Sequence, residues 1–239
     1  KTITLFAKQD NNLLEQEIAG YSTINIGSGK KTELEFSSLR GKQTFILDLG
    51  FNGEISIDQS MYSKLSKSLL FKKYLKAYND GQIDTLFLSE KTDIQWDIYN
   101  VKSCRLIYNP RSKYCFIGSK FMQRFNFILA FNDFRKKIYV KPVKGYELSN
   151  STAYFSEFGF DIISDSISRV HVLEVSGPAE FAGLKLGDEV LNIDNESFNL
   201  SVGNLHDRLV SYLRDKDKIY IDIKRSGEIM TIPISITNR

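Results

Sequence analysis

The chain has 239 residues, 42% of them hydrophobic and 13% aromatic, enough apolar material for one large core or two small ones. Its net charge is only +3, and the densest basic clusters, Phe71-Lys-Lys-Tyr-Leu-Lys76 and Phe134-Arg-Lys-Lys-Ile138, read as solvated surface, which argues against nucleic-acid binding. No apolar run approaches the roughly 20 residues of a transmembrane helix, and Cys104, Cys115, His171 and His206 lack the tight spacing of a structural zinc site. No metal or cofactor is therefore expected. The absence of an initiator Met predicts a processed or truncated chain.

In chain order, Lys1-Thr-Ile-Thr-Leu-Phe-Ala-Lys8 has the pattern of Lys136-Lys-Ile-Tyr-Val-Lys141 further on, and polar, acidic Gln9 to Ala19 follow it as a linker. Either the pair is an internal repeat, or two short Lys-flanked β stretches match by chance. Tyr21 to Ile26 and Thr32 to Phe36 are strand-like. Thr44-Phe-Ile-Leu47 is a short apolar run that ends at Asp48, and Leu49-Gly50-Phe51-Asn52-Gly53 turns into a second strand, Glu54 to Ile57. Tyr78-Asn-Asp-Gly81 predicts a turn between Lys72–Ala77 and Ile83–Leu88. Trp96 sits in an alternating stretch and reads as a structural indole on a sheet. Phe116-Ile117-Gly118 leads into a short helix over Ser119 to Phe125. Phe127 to Phe131 and Lys137 to Val140, joined at Asn132-Asp133, predict a terminal hairpin.

An apolar strand that runs into an Asp-x-Gly turn and out into another strand resembles the active-site loop of retropepsin-like aspartic proteases. Phe116-Ile117-Gly118 is similar to the element that crosses beneath that loop in the family. The resemblance covers one lobe, residues 20–145, with a flap at the hairpin around Tyr78. It implies a dyad of two carboxylates that share one proton and activate a water. Asp48 is the one match. Its partner must come from a second copy in a homodimer or from another lobe in the same polypeptide, for which residues 1–19 would hold the tail and linker. In the family a Thr or Ser follows the catalytic Asp and braces the loops through its hydroxyl. Leu49 has none, and Phe51 stands where a small residue is usual. Leu49 is expected to pack beside Ile46, Leu47 or Phe51 and to leave Asp48 misaligned. A degenerate lobe and an active one, kept by the intact Asp48 and Gly50, are both open.

The run Ser176-Gly-Pro-Ala-Glu-Phe-Ala-Gly-Leu-Lys-Leu-Gly-Asp-Glu-Val-Leu-Asn-Ile-Asp194 is the most specific feature of the chain. Pro178 suits the first turn of a short helix. Gly183 fits the left-handed position past its end, with Leu184 as the accompanying apolar contact. Gly187-Asp188 is turn chemistry, and Val190, Leu191 and Ile193 make a buried strand. Leu205, Leu209 and Leu213 recur at helical spacing and predict a helix over Val202–Asp215. Ile219, Ile221 and Ile223, then Met230, Ile232, Ile234 and Ile236, alternate like strands about the turn at Arg225-Ser-Gly-Glu228. Together with Phe158-Gly159-Phe160, these residues resemble a bacterial-type PDZ domain over residues 153–239. The resemblance implies a carboxylate-binding loop at Phe158, Gly159 and Phe160, an edge strand starting at Asp161 and Ile162, and a groove helix carrying Leu205 and Leu209. Peptides or protein C-termini would be the partners.

The predicted fold class is thus mainly β, a retropepsin-like acid-protease lobe followed by a PDZ-like α+β domain, with a linker near Gly145 to Thr152. The function expected is an aspartic-endopeptidase-like protein that docks peptides through its second domain, or a non-catalytic peptide-binding scaffold on the same two folds. Bacterial proteins join such lobes to PDZ domains, and the Asn-, Lys-, Ile-, Tyr- and Phe-rich composition fits an AT-rich bacterial genome. Export to the periplasm or cell envelope follows from resemblance alone, and there Cys104 and Cys115 could pair.

Overall fold

A computed structural model of the chain describes residues 18–26, 31–36, 39, 41–51, 53–78, 80–131, 136–143, 156–164, 166–198 and 205–236. Lys1 to Lys8, most of Gln9 to Ala19, the turn Asn132-Asp133, the linker Gly145 to Thr152 and the helix start at Val202 lie outside the described residues.

The fold is mainly β, as expected. Its elements begin with β1 (Ser22–Ile26), β2 (Lys31–Phe36), β3 (Lys42–Leu47), β4 (Ile55–Ile57), α1 (Gln59–Leu65), β5 (Phe71–Ala77) and β6 (Ile83–Ser89). Next come β7 (Thr92–Trp96), β8 (Tyr99–Cys104), β9 (Leu106–Tyr108), β10 (Phe116–Ile117), α2 (Ser119–Met122), β11 (Phe125–Phe131) and β12 (Lys136–Pro142). The last are β13 (Phe160–Ser164), β14 (Ser168–Glu174), α3 (Pro178–Phe181), β15 (Glu189–Ile193), β16 (Glu196–Ser197), α4 (Leu205–Leu213), β17 (Lys218–Arg225) and β18 (Glu228–Ser235). They form two compact units, each discontinuous in sequence. One takes the described residues of 1–56, 93–104 and 114–148, and the other those of 57–92, 105–113 and 149–239.

In the first unit, β2 alternates exposed and buried residues, so Thr32, Leu34 and Phe36 share the core face. β3 answers with Phe45 and Leu47. Trp96 is fully buried, edge-on to Phe121 and Phe125, and its indole N–H donates to Thr32 Oγ1 at 3.1 Å. Burying so large a ring stabilises the unit by a few kcal/mol, and the hydroxyl removes the penalty on the N–H. β10 lies parallel to β3 (Phe116↔Ile46, Ile117↔Leu47) and antiparallel to β4 (Phe116↔Ser56, Ile117↔Ile55). A separate sheet runs β1-β12-β11. Cys104 and Cys115 are buried thiols with no disulfide between them, and burial pushes the Cys104 thiol well up.

In the second unit, the sheet order is β18-β17-β15-β14-β5-β6-β9, with β13 on β14 and β16 on β15. The predicted turn at Tyr78 to Gly81 joins β5 and β6, whose pairs run from Ala77↔Ile83 to Phe71↔Ser89. α1 starts where Asp58 Oδ1 accepts from Met61 N at 2.8 Å, which satisfies one of the helix's orphan donors. α3 has Pro178 in its first turn and ends at Gly183 with φ 95°, followed by Leu184 at 1% exposure. Asp188, 3% exposed, takes a bidentate pair from Arg225 on β17 at 2.6 and 2.7 Å, which fixes the Gly187-Asp188 turn to the hairpin. The core is built from Phe158, Phe160, Val190, Leu209, Ile221 and Ile234, among others.

Candidate functional site

Asp48 follows the last residue of β3, and its surroundings are set by backbone. Asp48 N donates to Ile117 O at 2.9 Å, so β10 fixes where the strand ends. Phe51 N then returns to Asp48 O at 3.1 Å and closes a tight turn. The carboxylate bends over that turn, with Oδ1 accepting from Gly50 N at 3.0 Å. Beneath it, Gly118 N donates to Glu54 O, Ser119 N to Phe51 O and Lys120 N to Gly53 O. The loop is therefore held from below while its tip stays open.

Leu49 departs from expectation. It does not pack beside Ile46, Leu47 or Phe51 as a buried side chain but is 40% exposed. The reason is local: Leu47 is the last inward residue of β3, and Leu49 occupies the corner of the turn, which points outward.

The other site lies in the second unit. Phe158, Gly159 and Phe160 form the turn that opens β13, with Gly159 in the left-handed region at φ 80°. A Cβ there would meet Glu174 Cβ at 2.9 Å, so conformation and space both require glycine. Phe158 and Phe160 are fully buried and Ile162 is 2% exposed, all in the core. Gly159 N donates to Ser156 O at 2.9 Å, so this amide of the predicted carboxylate loop is committed. Asp161 is 5% exposed. On α4, Leu209 lies in the core and Leu205 packs partly buried against it. β13 pairs with β14 alone among the described residues, which leaves its other edge without a strand partner, and α4 packs beside it.

Three further side chains lie at this site. His206, the second residue of α4, places Nδ1 2.8 Å from Asp161 Oδ2. Ser156 Oγ donates to Phe160 O at 3.0 Å. Glu174, at the end of β14, accepts from Lys72 Nζ at 2.6 Å and Tyr74 OH at 3.0 Å on β5. Its own amide donates to Gly159 O at 2.6 Å, so one residue joins the loop to the β5–β6 hairpin. A turn-forming Ser ahead of the Phe-Gly-Phe turn and a His at the start of α4 were the available signals. His171 on β14 faces the same cluster. Burial lowers its pKa below the ordinary histidine value, and the Asp161 charge works in the opposite direction.

Fold and sites together define a mainly β protein with a carboxylate-bearing turn in one unit and an open-edged strand beside a helix in the other. No family model matches the sequence, and no curated protein matches it. Among solved structures, a retropepsin-like aspartic protease from Rickettsia conorii aligns at 12% identity, over 50% of this chain and 90% of its own, with a TM-score of 0.36. The HtrA-type protease AlgW with tripeptide aligns at 11% identity over 88% and 94% of the two chains, with a TM-score of 0.32. The serine endoprotease from Yersinia pestis gives 15% identity, 92% and 85% coverage and a TM-score of 0.31. Superpositions this loose carry no argument about function.

Proposed function

We propose that the chain docks peptide C-termini along β13, as the PDZ-like part of an aspartic-endopeptidase-like protein. The observation that carries the reading is the geometry of β13: a strand with one unpaired edge, led by a left-handed glycine turn and flanked by a helix. Such an edge carries backbone groups that an extended peptide can pair with once their internal partners are displaced. Partners on this reading are peptides or protein C-termini, and the cell envelope is the compartment.

Peptides with a free C-terminal carboxylate are expected to bind more tightly than their amidated counterparts. Fluorescence anisotropy with the full chain checks this. Equal affinities would remove the carboxylate from the recognition.

A second reading, a composite aspartic endopeptidase, draws on Asp48. Its carboxylate stands at an open loop tip and retains the Gly50 N–H bond. One carboxylate does not make a shared-proton dyad. On this reading the second comes from a homodimer or from another lobe, and Asp48 acts as one half of a general acid–base pair on water.

A further inference from the structure

We propose that the edge of β13 is held shut by the protein's own Ser156, Asp161 and His206, and that a ligand must displace them to bind. This rests on reading that edge as the peptide site.

The backbone alternation of β13 is fixed at its start. Gly159 O accepts from Glu174 N on β14 at 2.6 Å. Backbone groups of successive residues in an antiparallel strand point to opposite edges. Asp161, paired with Val172, therefore faces β14 like Gly159, and Phe160 and Ile162 face the edge that a peptide strand would join. A register shift falls between Asp161 and Ile162, next to the groups in question.

Those outward groups already have partners within the chain. Phe160 O accepts from Ser156 Oγ at 3.0 Å, and Ile162 N donates to Asp161 Oδ1 at 3.0 Å. In the turn, Gly159 N donates to Ser156 O. Asp161 is in turn held by His206 Nδ1, 2.8 Å from its other oxygen, which ties α4 to β13. The apolar side chains of the same stretch are sealed in the core, Phe158 and Phe160 at 0% and Ile162 at 2% exposure. An incoming strand thus finds the donor at Ile162 and the acceptor at Phe160 taken.

Each of these internal bonds is worth on the order of 1 kcal/mol net. Apparent affinity falls in proportion to the fraction of molecules with the edge open. The arrangement therefore acts as an autoinhibitory latch, and Asp161 is its centre because it caps one edge amide and receives the helix. Removing its carboxylate or its imidazole partner should raise affinity for any ligand that uses this edge.

The test uses the full chain and a fluorescein-labelled pool of decapeptides ending in a free valine carboxylate. Wild type, Asp161→Ala, His206→Ala and Asp161→Asn are compared by anisotropy, and exchange of the Ile162 amide is followed without peptide. The His206 variant leaves β13 untouched, and Asp161→Asn keeps an oxygen for the Ile162 amide. We expect the two alanine variants to bind about tenfold more tightly than wild type. Asp161→Asn, which keeps an oxygen for the Ile162 amide but removes the charge that holds His206, should gain less affinity than the two alanine variants, and Ile162 should lose protection in Asp161→Ala. Binding by all four proteins with equal affinity, or unchanged Ile162 protection in Asp161→Ala, overturns the latch and leaves the docking reading standing. No binding by any of them overturns the docking reading, and the latch falls with it.

Discussion

Arg124→Ala is expected to destabilise the first unit by about 3–5 kcal/mol. The Arg124 and Glu54 side chains are 2% and 4% exposed and form an ion pair through Arg124 Nη2. Arg124 Nη1 also donates to Lys102 O at 2.6 Å. Truncation leaves the Glu54 carboxylate buried without its guanidinium, and removing one partner of a buried pair is far costlier than replacing both. The double variant Arg124→Met with Glu54→Leu should therefore recover part of the loss. Urea midpoints at constant m check the ordering, since an unchanged slope means that the shift in midpoint is a change in stability. Glu54 stands just after the Asp48 loop and its carbonyl receives Gly118 N, so this pair also fixes the floor of that loop.

Gly118→Ala is the other change with a large expected effect, a loss of about 3 kcal/mol or more. The backbone at Gly118 is ordinary, with φ −99°, so left-handed strain is not the cause. The cause is space. A Cβ would sit 2.2 Å from Gly53 O and 2.6 Å from Phe51 O, both backbone atoms that no rotamer change can move. The loop from Phe51 to Glu54 would have to lift and give up its bonds from Gly118, Ser119 and Lys120 N–H. Thermal or urea unfolding measures the loss. A shift under about 1 kcal/mol would mean that the loop and β10 are not packed as described.

What was legible in the sequence had a local cause. The Pro178–Gly183 helix, the strand ending at Asp48 and the turn at Ser226-Gly227, with φ 53° and 89°, each follow from a few neighbouring residues. α1 was equally local and was missed: Asp58 as N-cap and Met61 and Leu65 four apart on the buried face were the available signals. The pairing of β14 was not legible. Its start meets β15 at Arg169↔Glu189, its end meets β5 at Leu173↔Leu75, and its other edge takes β13. A strand so shared has no signature of its own, because its partners are remote in sequence. The surroundings of β13 showed the same limit. Phe158-Gly159-Phe160 announced a loop, yet the His206–Asp161 contact depends on how α4 is laid beside β13, which no local pattern encodes.

The most direct test of peptide docking is an amide chemical-shift titration of the full chain with a decapeptide ending in a free carboxylate. Docking along β13 predicts that the largest changes fall on Phe158 to Ile163 and on α4, while Asp48 to Phe51 stay in place. Largest changes at the Asp48 loop, or a spectrum unmoved at β13 by a peptide that binds, would contradict it.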